Sequence, residues 1–209
     1  MAIPMQLGVD IQKYATDLAQ DHFNKGLLAL DIGENRRLIG QYPPDSQADL
    51  SLASTDLERH TLGWLHDVYN RRMFGRIDEV YARTAQYHGP LMVETYGRAA
   101  ITHQTLGLVG TFPDAAFEPQ YICSTPCEEG GVKVHVRWLM EGHHLGHGIL
   151  RHLGKPTGKR VQIMGMSHFH YRDGKIVDEW RVYDEMSLLM QVKLAQMADR
   201  PAATPELER

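Results

Sequence analysis

Apolar residues recur along this chain with two different periods, and the change between them divides it. Between residues 10 and 24, Ile11, Tyr14, Ala15, Leu18 and Ala19 share one helical face with Phe23 close by, which predicts a first amphipathic helix. The pattern fades after Gly33. Residues 41–55 (QYPPDSQADLSLAST) are polar and carry a double proline, so they read as a linker or surface loop. Thr55 with Glu58 three residues on is a capping box, and Leu57, Leu65 and Val68 follow at helical spacing. Gly75 breaks that helix, and 77–82 continues it as a second amphipathic piece. Residues 97–111 (GRAAITHQTLGLVGT) predict a third helix, stopping near Phe112-Pro113-Asp114.

The period then changes to two. Residues 117–125, 131–142, 160–171 and 175–183 alternate and are rich in β-formers, with turns at Glu128-Glu129-Gly130-Gly131 and Arg172-Asp173-Gly174. A last helix is predicted from 184 to about 198, with Leu188, Leu189 and Val192 as its apolar face. Pro201 onward is a polar tail expected to be disordered. Helices first and an antiparallel meander afterwards define an α+β fold, with a strongly curved sheet wrapped around the helices. The expected organisation is a helical extension and linker over 1–54, the α+β domain over 55–198, and the tail over 199–209.

Composition narrows the function. Hydrophobic content of 43% and charged content of 23% suit an ordinary core. A net charge of −4 with no Lys/Arg cluster argues against nucleic-acid binding through counterion release. No segment is long and apolar enough to span a bilayer, and MAIPMQLGVDIQ lacks the basic start and apolar run of a signal peptide, so no membrane role and a cytoplasmic location are expected. Cys123 and Cys127 make neither a disulfide framework nor, without a second pair, a zinc motif. Histidine is the unusual component of the composition: six of the twelve (His143, His144, His147, His152, His168, His170) fall within 28 residues.

Hairpin parity decides which of these side chains meet. If the last hairpin turned on Asp173-Gly174 alone, His168 and His170 would face away from Asp184. A three-residue loop, Arg172-Asp173-Gly174, gives the opposite parity and pairs His170 with Ile176, His168 with Asp178, Met166 with Trp180 and Gln162 with Asp184. One face would then carry Met164, Met166, His168, His170, Trp180, Val182 and Asp184. On the neighbouring strand, alternation groups Val134, Val136, Trp138, Met140 and His144. Together they are expected to line one apolar concavity with a few ionisable groups. A carboxylate in such a site has its pKa raised, which makes Asp184 a candidate general base, with imidazoles at His144, His168 or His170 as donors to an enolate oxygen.

Plainer readings compete with this one. Asp184 also stands where the last helix needs an N-cap. His168 and His170 would serve equally as hydrogen-bonded core residues, and His143, His147 and His152 flank turns. The Met and Trp residues are ordinary core types. His168 and His170, two apart on a strand, could hold a metal with Asp178 or His144, but no HxxxH or HExxH spacing falls on a helix.

The order of motifs adds a further expectation. Arg137-Trp138, then GHHLGHGILRHLGKPTGK, then SHFHYRDGKIVDEWRVYDEMSLLMQV follow His88-Gly89-Pro90, Gly97-Arg98 and Phe112-Pro113-Asp114. Over roughly residues 55–195 this resembles the SnoaL-like polyketide cyclases of the nuclear transport factor 2-like superfamily. The resemblance implies a cone-shaped α+β fold with a deep pocket, often dimeric, and no metal or organic cofactor. It also implies an Asp near the end of the last strand as general acid/base for an intramolecular aldol closure, and a His on the preceding strand lining the pocket. Those roles would fall on Asp184 and His170, with His144, His168, Trp138, Trp180, Met140 and Met166 shaping the substrate site. The sequence departs from the family pattern in its first 50 residues, in the pair His143-His144 where a Thr usually precedes the motif His, and in His147 and His152. The expected function is cofactor-independent aldol cyclisation or isomerisation of a small carbonyl-containing, polyketide-like molecule by a homodimer. A non-catalytic binding module of the same fold and a His-based metalloenzyme are the alternatives, because fold does not fix chemistry.

Overall fold

The computed structural model describes residues 10–24 and 45–198. The expected tail and residues 25–44 lie outside the described residues, and residues 45–55 carry neither helix nor strand. Helix α1 (Ile11–Asn24) starts on Asp10, whose Oδ1 accepts the backbone N–H groups of Gln12 and Lys13 at 3.0 and 3.1 Å. Helix α2 (Asp56–Tyr69) opens on the expected capping box: the Thr55 hydroxyl accepts the Glu58 N–H, and the Glu58 carboxylate accepts the Thr55 N–H, both at 3.2 Å. The other Glu58 oxygen accepts the Ser124 hydroxyl at 2.6 Å, which ties this cap to the sheet.

After the short helix α3 (Arg76–Val80) the chain departs from expectation. The helical reading of 77–82 stops at Val80, and residues Tyr81–Gly89 form strand β1, joined through a 3₁₀ turn at Pro90–Met92 to strand β2 (Val93–Tyr96). Ala85 and Tyr87 point inward with Gln86 outward between them, so a short period of two was present there. Helix α4 (Arg98–Thr111) follows, then strands β3 (Ala116–Pro126) and β4 (Val132–His143). A second 3₁₀ turn (Gly148–Leu153) leads to strands β5 (Arg160–Arg172) and β6 (Lys175–Tyr183) and to helix α5 (Glu185–Ala198).

The strands make one open sheet in the order β2-β1-β6-β5-β4-β3. Strands β3 to β6 form the expected antiparallel meander, while β1 joins β6 in parallel and brings β2 with it. The result is α+β with a curved sheet, as the alternation required.

One face of that sheet carries the core. Strand β4 turns Val134, Val136, Trp138 and Met140 inward, and β5 turns Val161, Ile163, Gly165, Ser167, Phe169 and Tyr171 inward beside them. Leu62, Leu65 and Val68 of α2 pack onto this face, and Trp64 donates its indole N–H to the Tyr171 hydroxyl at 2.9 Å while meeting Phe169 edge-on. Each such fully buried aliphatic side chain contributes about 1.5–3 kcal/mol.

The last hairpin resolves the parity question in an unexpected way. It turns on two residues, Asp173 (φ 48°) and Gly174 (φ 72°), and pairs Arg172 with Lys175. A bulge at Val177 then inserts one residue, because Tyr171 faces Ile176 but His170 faces Asp178. The bulge restores the parity expected of a three-residue loop, but shifts the register by two. His168 therefore lies opposite Trp180 instead of Asp178, and Met166 opposite Val182 instead of Trp180.

Candidate active site

Because α5 follows β6 directly, the end of the inner sheet face and the start of α5 share a wall. An apolar cavity of about 450 Å³ opens against that wall. Leu108 of α4, Ile149 and Leu150 of the second 3₁₀ turn, and Leu188 and Leu189 of α5 supply most of its apolar lining. Polar groups converge among them: Tyr87 at the end of β1, Arg181 and Tyr183 on β6 and Glu185 at the start of α5, with Gln104, His152, Asp10 and Gln12 completing the lining. An apolar cavity of this size with a few convergent polar groups has the character of a small-molecule site.

The polar wall is built by alternation on β6. Glu179 and Arg181, two residues apart, both turn inward and are buried. The Arg181 guanidinium donates to Glu179 Oε1 at 2.6 Å, while the Tyr81 hydroxyl donates to Oε2 at 2.5 Å. Arg181 also lies over the rings of Tyr69 and Tyr87, 5.3 and 5.6 Å from their centroids. Burial opposes the Arg181 charge, yet the Glu179 carboxylate beside it holds the guanidinium well above its ordinary value. Burial pushes the Tyr87 and Tyr183 phenols up as well, so both remain protonated donors at neutral pH. Glu185 is buried, and that burial raises its carboxyl to about 7.

The residues expected to form the site lie elsewhere, and none of the eight lines this cavity. Asp184 is exposed, and its Oδ1 accepts the Ser187 N–H at 2.9 Å, so it caps α5. Met166, His168 and Trp180 share one face with Met164 and Val182 as parity required, but it is the outer face of the sheet. Trp138 and Met140 are on the inner face, so the two groups sit on opposite sides of the sheet instead of around one concavity. Trp138 is core: its ring lies against Gly165, where any Cβ would come within 2.4 Å of it, and its N–H donates to Ser167 Oγ at 3.1 Å. His144 is fully buried beside Phe112, with Nδ1 3.4 Å from both the N–H and the hydroxyl of Thr157, and burial lowers its pKa.

The outer face does bring three expected residues together. His168, His170 and Trp180, with Glu129, Lys133 and Asp178, line a polar recess of about 230 Å³. His170 Nε2 lies 2.8 Å from the Gly130 carbonyl. His88 stacks on Trp180 at 3.9 Å, with Nε2 3.0 Å from Asp178 and Nδ1 2.5 Å from Glu94. Among the described residues, no group of three or more His, Cys, Asp and Glu is arranged to hold a metal ion. No helix among them is long and apolar enough to cross a membrane.

Arg181, Glu185 and Tyr87 line this cavity, Glu179 holds Arg181 in place, and none of the four was singled out from the sequence. A signal for them existed. On β5 the set Val161, Ile163, Gly165, Ser167, Phe169 and Tyr171 holds no charge, whereas the alternate set holds Arg160, His168, His170 and Arg172. Choosing the uncharged set as the inner face would have turned Glu179 and Arg181 inward with it.

The architecture is thus a curved α+β sheet with helices over an apolar cavity of small-molecule size. The chain belongs to the SnoaL-like polyketide cyclase family, whose model matches residues 59–192. Solved structures agree on the fold. A candidate polyketide cyclase from Acidithiobacillus ferrooxidans is similar at a TM-score of 0.56 and 18% identity, covering 68% of this chain and 97% of that one. A candidate SnoaL-like polyketide cyclase from Jannaschia sp. CCS1 gives 0.54 and 13%, covering 75% and 100%. A SnoaL-like polyketide cyclase from Agrobacterium tumefaciens gives 0.52 and 17%, covering 66% and 98%. No curated protein matches the chain.

Proposed function

We propose that this protein is an enzyme that carries out acid/base chemistry, an aldol cyclisation or isomerisation, on a small polyketide-like carbonyl compound held in the 450 Å³ cavity. Glu185 is the general acid/base. The observation that carries this reading is a buried carboxyl poised near neutral pH on the same wall as a fixed guanidinium. Glu185, as carboxylate, takes a proton from the carbon next to a carbonyl. Arg181 and the phenols of Tyr87 and Tyr183 stabilise the enolate oxygen that forms. In a cyclisation the enolate carbon attacks a second carbonyl of the same molecule, and Glu185 returns its proton to the new alkoxide. A base so placed is worth ~10²- to 10⁴-fold in rate. The expected roles of Asp184 and His170 pass in this proposal to Glu185 and Arg181.

The test needs no knowledge of the natural substrate. The α-protons of an aryl 1,3-diketone exchange with D₂O, and the wild-type protein is expected to speed that exchange. Glu185→Gln should remove roughly 10²-fold or more of the enhancement. Equal exchange by wild type and variant would end the mechanism.

A second reading, a non-catalytic carrier on the same fold, has one observation in its favour: Glu179 already neutralises Arg181 at 2.6 Å. The carrier binds the diketone without accelerating its exchange. We further propose that the protein works as a homodimer formed through the outer face of the sheet, on which Met164, Met166, Trp180 and Val182 are exposed.

A further inference from the structure

The cavity is not built by the family-matching residues alone. Its lining includes Asp10 and Gln12, at the start of α1, well outside residues 59–192. Helix α1 packs along α5, the helix that carries Glu185, Leu188 and Leu189 into the cavity. Ala15 and Ala19, one turn apart, are fully buried, so small side chains let α1 approach closely. Asp10 and Gln12 are exposed, which places them at the rim instead of the floor. Pro90 and Leu91 also line the cavity, and Leu91 and Met92 sit at φ 57° and 61°. Two adjacent non-glycine residues in that conformation cost about 1–3 kcal/mol each, and such strain clusters at ligand clamps.

We propose that α1 completes the mouth of the pocket and that Asp10 and Gln12 are specificity-determining residues there. The inference rests on the cavity being the ligand site. Arg181 at the inner wall favours the electron-rich oxygen of a ligand, while Asp10 at the rim disfavours negative charge at the other end. The substrate class is thereby an apolar molecule with its carbonyl end leading and a neutral or cationic end at the mouth. Gln12 sets how wide that outer end can be.

A matched pair of fluorophores tests this in the full chain: anilinonaphthalene sulfonate, an apolar anion, and N-phenyl-1-naphthylamine, its neutral counterpart. Asp10→Asn keeps an equally good helix cap but removes the charge. It should raise affinity for the anion roughly threefold or more at low salt, with the gain shrinking as salt is added, and leave the neutral dye unchanged. Gln12→Trp should weaken both dyes about tenfold by filling the mouth. Leu108→Trp, on the cavity floor, should also weaken both. If Leu108→Trp blocks the dyes while both α1 variants bind them as wild type does, the cavity stands and the role of α1 is refuted. If Leu108→Trp changes nothing, the cavity itself is not the ligand site, and the inference falls with it. Circular dichroism confirms that each variant is folded.

Discussion

At the scale of residues, the proposed site turns on one peptide step between Asp184 and Glu185. Strand alternation leaves position 184 facing out, and the first turn of α5 swings position 185 into the cavity. Asp184 therefore serves the helix. Asp184→Ala should cost about 1 kcal/mol, lowering Tm by roughly 2–4 °C while leaving diketone exchange near the wild-type rate. A loss of exchange matching that expected of Glu185→Gln would return the acid/base role to Asp184. Glu185 makes a pH-dependent prediction as well. Its carboxyl is raised from an ordinary 4.5 to about 7 by burial, so the folded state favours the protonated form. The unfolded chain releases that proton first as pH rises. Stability is thus lost progressively between about pH 4.5 and pH 7 and stays lost above it. Glu185→Gln should melt at the wild-type temperature near pH 4, and at least about 2 °C above it at pH 8.

At the scale of elements, the fold was legible wherever a period ran long enough. The capping box located α2 to the residue, and the four meander strands appear within a few residues of their expected ends. Strand β1 was not legible, because Arg83 and Thr84 break its alternation and its partner β6 lies almost a hundred residues away. The Val177 bulge was not legible either: an extra residue in a strand leaves no mark when both neighbours are apolar or acidic. The lining of the cavity was harder to read than the fold. Histidine and tryptophan density drew attention to the outer face of β5 and β6, whereas on β5 burial follows the side with least charge, and β6 carries Glu179 and Arg181 inward with it. Close packing on the true inner face is testable at Gly165, whose missing Cβ makes room for the Trp138 indole. Gly165→Ala should destabilise the protein by roughly 1–3 kcal/mol, since the ring rests between two strands and has little room to yield. Near-ultraviolet circular dichroism should show altered Trp signals. An unchanged melting temperature would mean that Trp138 is free to move.

At the scale of the whole molecule, the sheet separates two surfaces with different tasks. The inner face is committed to the core and the cavity, so the apolar residues of the outer face must meet something else or water. Met164, Met166, Trp180 and Val182 are 57, 42, 53 and 60% exposed and adjoin one another across β5 and β6, too contiguous a patch to leave solvated without cause. A second copy of the chain fits the charge pattern beside it. Lys133 and Arg137 flank the patch on β4, and Asp178 and Asp184 flank it at β6. A two-fold axis running along the strands lays the cationic side of one protomer over the acidic side of the other, whereas an axis across the strands would oppose like charges. Sedimentation at micromolar protein should therefore show a dimer, and Met166→Lys should weaken it tenfold or more by placing a charge in the apolar centre. Lys133→Glu should also weaken association, and adding Asp178→Lys on the same chain should restore part of it, because each swapped side then meets its complement. A wild-type protein that sediments as a monomer, or a charge swap that restores nothing, would remove the two-fold arrangement and leave the patch to a different partner.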